Sequence, residues 1–161
     1  MTSNKTALTN TSAGLRRGWL PVGMSGEFAV DVPTRTELCG DGLVVTRRGN
    51  NVDVFVDRCP HRNARLSDGR VVNGCIECPY HGWQFDASGR CNHIPALGKG
   101  ATVPPSAHLT PLRSTERFGL VWVSLDEPVC ELPDIAEWSD STLQKIWLPP
   151  VEIKASAGQF V

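Results

Sequence analysis

The chain carries Cys59-Pro60-His61-Arg62 and, after sixteen residues beyond His61, Cys78-Pro79-Tyr80-His81-Gly82-Trp83. Each segment supplies one cysteine and one histidine just after a strand-like run. Each therefore belongs on a loop at the end of a sheet. Pro60 and Pro79 stiffen these loops and remove a backbone donor. Gly69, Gly74 and Gly82 let the backbone close tightly around a bulky group. A zinc finger groups cysteine with cysteine and histidine with histidine, which is not the pattern here. Two mixed loops facing each other can instead place both cysteines on one metal and both histidines on a second. A structural zinc site is the plainer alternative for the same four residues.

Outward from these loops the chain reads as β-structure. Gly42-Leu43-Val44-Val45-Thr46-Arg47-Arg48 and Asn51-Val52-Asp53-Val54-Phe55-Val56-Asp57 flank Gly49-Asn50, a pair that tolerates positive φ, so they form a hairpin. In its second strand Val52, Val54 and Val56 share one face. Asp53 and Asp57 take the other, with Phe55 between them. Gln84-Phe85-Asp86 and Arg90-Cys91-Asn92-His93 flank Ala87-Ser88-Gly89 as a second hairpin. Gly119 to Leu125 is apolar on both faces, as a buried strand would be. Asp134 to Lys145 is the one helical candidate, with Asp134 or Ser139 as its cap. Val151 to Ser156 alternates like a strand. The 15 Gly and 12 Pro fall between short apolar runs, as in an all-β protein.

Composition narrows the function. A length of 161 residues suits one domain with an arm or tail. Sixteen basic against seventeen acidic residues give a net charge of -1, without the basic excess of a nucleic-acid binder. No apolar run approaches the roughly 18 residues needed to span a bilayer. The polar start, Met1 to Thr6, is not a secretory signal. The expectation is a cytoplasmic protein that binds neither nucleic acid nor membrane. There, clustered cysteines point to metal or catalysis rather than disulfides. Cys39, Cys75, Cys91 and Cys130 read as buried small hydrophobes. His93 reads as a hydrogen-bonded histidine. Trp19, Trp122 and Tyr80 read as packing residues, and Trp83 as packing or as a shield for the metal site.

The two quoted segments, with the following Phe85-Asp86 and Gly89-Arg90-Cys91, resemble the Rieske signature as it stands in Rieske non-haem iron oxygenases. The resemblance runs from about Trp19 to Leu125. It implies an all-β Rieske fold: an antiparallel, sandwich-like base carrying a small cluster-binding subdomain. It implies a [2Fe-2S] cluster, with Cys59 and Cys78 on the inner iron and His61 and His81 on the outer one. Two neutral imidazoles in place of two thiolates leave the oxidised cluster formally neutral, so it accepts an electron more readily than a four-cysteine cluster.

Respiratory Rieske proteins carry an extra cysteine in each loop, where this chain has Ala64 and Tyr80, and a serine where it has Trp83. The resemblance therefore implies the low-potential oxygenase or ferredoxin type. Asn63 departs from the family at a position that is often glycine. Family members of the oxygenase class also hold a mononuclear Fe(II) through two histidines and a carboxylate. With His61 and His81 committed, His93 and His108 do not supply that motif. That iron is expected only on a further catalytic domain.

The resulting plan is a flexible arm over residues 1–17, a Rieske domain over 18–127 and a tail over 128–161. The tail leads toward the catalytic domain, because Ala155 to Val161 resembles the stretch before its iron-binding segment. The implied function is to relay electrons from a reductase or ferredoxin to the oxygenase iron of another domain or chain, in an assembly that is often a trimer. The substrate would be a small organic molecule, hydroxylated or demethylated. Trp138 and Trp147 would then mark a docking surface, the strand at 151–156 would seek a partner, and Arg62 and Arg65 could meet a partner's carboxylates. A stand-alone Rieske ferredoxin is the alternative.

Overall fold

The computed structural model describes residues 9–98, 101–149, 151–153 and 155. Among the described residues every named strand pairs antiparallel, and the helical elements are one helical turn and two short 3-10 turns. Strands β1 (Leu20–Met24), β9 (Arg113–Arg117) and β10 (Leu120–Ser124) form one sheet in the order β1-β10-β9. Strands β2 (Thr34–Leu38), β3 (Asp41–Arg48) and β4 (Asn51–Val56) form a second. Strands β5 (Arg70–Val72), β6 (Cys75–Glu77), β7 (Gln84–Phe85) and β8 (Cys91–His93) form a small four-stranded sheet. Both expected hairpins are present, β3–β4 and β7–β8.

The two three-stranded sheets enclose one core, built from Leu43, Val45 and Val54 on one side and Val121 and Val123 on the other, with Phe28. Arg47 fastens the sheets, pairing with Glu116 at 2.9 Å and donating to the Phe28 and Ser25 carbonyls. A second core lies between the β3–β4 hairpin and the small sheet. Here Val44 and Phe55, direct cross-strand partners, pack with Cys59, Leu66, Ile76, Cys78 and Phe85. The β3–β4 ladder is thus covered on both faces. Phe55, between Asp53 and Asp57 on its face, is fully buried, whereas Val56 at the strand end is 40% exposed.

Three expectations are corrected. Asp134 to Lys145 is not an α-helix; only a 3-10 turn forms, Ala136–Ser139. Asp140 instead accepts the backbone N–H and hydroxyl of Thr142, a local turn that competes with a helix. Neither Asp134 nor Ser139 caps anything: Asp134 pairs with Arg117. The described part of 151–156 is not a strand, so no open edge exists there. Finally, β10 is half-buried at Leu120 and Trp122, because Trp122 turns outward and donates to the Arg117 carbonyl.

Of the arm expected to be loose, residues 1–8 lie outside the described residues, as do 150, 154 and 156–161 of the tail. Ala13–Arg16 forms a helical turn. Arg16 ties it down by pairing with Asp41 and Asp126, and its carbonyl accepts the Asp126 N–H. Among the described residues no helix is long and apolar enough to cross a membrane.

Candidate metal centre

The two ligand loops leave the second core in parallel fashion. In the first, Cys59 N–H donates to the Ala64 carbonyl and Asn63 N–H donates back to the Cys59 carbonyl. In the second, Cys78 N–H donates to the Trp83 carbonyl and Gly82 N–H donates back to the Cys78 carbonyl. The returning residue has a positive φ in both, 57° at Asn63 and 67° at Gly82. Asparagine is among the few non-glycine residues at ease there, so the departure from the family pattern leaves the loop intact. A different need fixes Gly69, where a Cβ would lie 2.1 Å from the Glu77 carbonyl oxygen.

Residues beyond the motif anchor the first loop. The Asp57 side chain is completely buried. It accepts the Ser67 N–H at 2.8 Å and the Ser67 hydroxyl at 2.6 Å, and pairs with Arg35 on β2 at 2.7 Å. This closes the base of the loop and welds it to the larger sheet. The sequence pattern placed Asp57 on a strand face and missed this role; the only signal was a carboxylate two residues before a ligand cysteine.

Both Cys59 and Cys78 are buried, at 1% and 2% exposure. Burial pushes the Cys59 thiol up to about 12, against the backbone N–H of His61, and the neighbouring Cys78 sulfur adds to the rise. Ionising such a pair requires a cation between them. The His61 and His81 rings stand 4.5 Å apart at 58°. Burial, helped by His81 and Arg62, holds the His61 imidazole below the ordinary histidine range, so it is neutral and has a lone pair to offer. Its Nδ1 is buried without a hydrogen-bond partner. Such an orphan is costly unless it coordinates something. Among the described residues no three His, Cys, Asp or Glu side chains are arranged to hold one metal ion. The donors come as a thiol pair and an imidazole pair, two for each of two irons, which is the set a Rieske cluster takes.

The aromatic residues divide unexpectedly. Trp83 lies flat on His61, with ring centroids 4.5 Å apart and planes 6° apart. Tyr80 rests on His81 at 3.9 Å but is 64% exposed, not a packing residue as expected. His81 is itself exposed. Around this tip Arg58, Arg62 and Arg65 are exposed and, among the described residues, form no ion pair. All six cysteines are free. Cys75 and Cys91 are buried as expected, but Cys39 is half-buried and Cys130 exposed. His93 and His108 are exposed as well. At the far end Trp138 packs edge-on against Phe118 and Trp147, and Trp147 covers Gly119.

Buried thiols, paired imidazoles and twin loops on an antiparallel base define a Rieske [2Fe-2S] domain. The family model for that domain matches residues 18–113, and the chain belongs to this family. It is 33% identical over 150 residues to methylxanthine N1-demethylase NdmA of Pseudomonas putida, covering 89% of this chain and 42% of the relative. The solved NdmA structure superposes with a TM-score of 0.74 over 81% of this chain and 42% of that one. Identity is 35% over 119 residues to the oxygenase component of dicamba O-demethylase of Stenotrophomonas maltophilia, covering 74% of this chain and 34% of the relative. It is 37% over 106 residues to the chloroplastic protein TIC 55 of Pisum sativum, covering 65% and 19%. The chain spans less than half the length of these relatives.

Proposed function

We propose that this chain is the electron-transfer domain of a Rieske non-haem iron oxygenase. Cys59 and Cys78 would hold the inner iron, and His61 and His81 the outer one. When bound, the cluster supplies reversible one-electron transfer between a donor protein and a mononuclear iron on another domain or chain. The chain's own residues set the terms of that exchange. The buried thiols keep the inner side dry. The exposed His81 edge, beside Tyr80, is the port. Arg58, Arg62 and Arg65 give the port a positive rim suited to an acidic reductase or ferredoxin. The Rieske unit would run over 18–127, with the 128–161 tail leading toward the catalytic domain. A homotrimer would let one copy feed its neighbour's iron. The demethylase and oxygenase relatives support a small organic substrate, hydroxylated or demethylated with O2.

The observation that carries this reading is a pair of buried thiols together with a pair of neighbouring imidazoles, one with an orphaned buried nitrogen. The test is iron and labile-sulfide analysis together with EPR of the dithionite-reduced protein. Two irons, two sulfides, a low average g and a midpoint near or below about -150 mV are expected. One zinc and no EPR signal would overturn it.

A further inference from the structure

The two imidazoles of the centre sit in unequal surroundings. His81 faces solvent beside an exposed Tyr80. One face of the His61 ring is covered by the Trp83 indole, nearly parallel to it. Trp83 is held from both ends. Its carbonyl accepts the Cys78 N–H, and its side chain packs against the buried core that contains both ligand cysteines. Its indole also meets Phe85 at 6.4 Å. A residue of the second loop therefore fixes the ring plane of a ligand on the first.

We propose, building on the cluster reading above, that Trp83 is a positioning residue that holds the midpoint potential down. Stacking on the indole favours one imidazole orientation over others. The indole also keeps water from that face of His61. Reduction takes a formally neutral cluster to one negative charge, and water stabilises the charged form more than a ring face does. Removing the indole admits water and eases reduction.

The test uses cluster-loaded protein. Trp83→Leu keeps an apolar side chain but loses the flat surface. It is expected to favour reduction roughly tenfold, an upward shift of about 59 mV for a one-electron couple, and to broaden the EPR g-values as the imidazole gains freedom. Trp83→Phe restores a stacking ring and should return both toward wild type. Val121→Ala, in the separate core behind the β3–β4 hairpin, should lower the unfolding midpoint and leave the potential in place. If Trp83→Leu does not fold, Trp83→Met is measured instead. An unchanged potential with a sharp Rieske signal in the Leu or Met variant overturns the proposal, as does an equal shift in Val121→Ala. A wild-type protein without a Rieske signal overturns the cluster reading itself.

Discussion

Asn63 and Gly82 hold the same station in twin loops: each returns a hydrogen bond to the cysteine four residues before it, Cys59 or Cys78, and each has a positive φ. They differ in tolerance. Asn63→Gly is expected to leave the unfolding free energy, from urea titration, within about 0.5–1 kcal/mol of wild type, since strain relieved in the loop offsets freedom gained by the unfolded chain. Gly82→Ala should cost about 1–2 kcal/mol, because alanine is strained at that φ and its Cβ would lie 3.0 Å from Pro95 Cγ. Equal losses in the two variants would break the equivalence.

The buried Asp57 carboxylate sets a second expectation. Asp57→Ala leaves two Ser67 donors and the Arg35 cation without their acceptor. A loss of about 2–3 kcal/mol in unfolding free energy follows. Cluster content should fall with it, since the first ligand loop loses its anchor. Ser67→Ala should cost about 1 kcal/mol.

Acid stability reports on Arg47. Its guanidinium holds the Glu116 carboxyl below the ordinary glutamate range. A carboxyl depressed by folding stabilises the native state above the ordinary value of about 4.3, and that stabilisation fades as pH falls through the folded value. Glu116→Gln should therefore be less stable than wild type near pH 6, by about 0.5–1 kcal/mol. The gap should close near pH 3. A constant gap across that window would exclude the ion pair as its source.

Removing iron and sulfide should loosen the ligand end. The apoprotein is expected to melt several degrees lower, because loading stabilises only the folded chain. Faster amide exchange at 58–67 and 78–83 than in β10 would show where the support was lost.

The arginine rim predicts salt-dependent reduction. With an acidic plant-type ferredoxin as donor, the second-order rate should fall steeply as ionic strength rises. Reversing Arg58, Arg62 and Arg65 to glutamate should slow it by at least roughly tenfold at low salt, with little difference at high salt. A rate indifferent to salt in both proteins would remove the rim from docking.

Local chemistry in the chain was legible. The β3–β4 turn at Gly49 and the β7–β8 hairpin follow from side chains a few residues apart. Contacts made across the fold were not. Phe55 reads as an odd member of a polar face until the small sheet arrives from 20 to 40 residues later to cover it. Trp83 lies 22 positions after His61, and no periodicity announces that their rings stack. Tyr80 looks like a packing residue until the loop tip turns it outward. Asn63 could have been read: it stands four residues after a ligand cysteine, as Gly82 does. The apparent helix at 134–145 yielded to the Asp140 turn and to Trp138 packing on Phe118.

The β3–β4 hairpin is a party wall. Val44 and Phe55 belong to the room that houses the metal centre, and Leu43, Val45 and Val54 to the room behind. Neither half can melt without stripping one side of strands the other half needs. The ligand-loop end and the base are thus coupled through one pair of strands, so that loosening at the metal end withdraws packing from the wall both share.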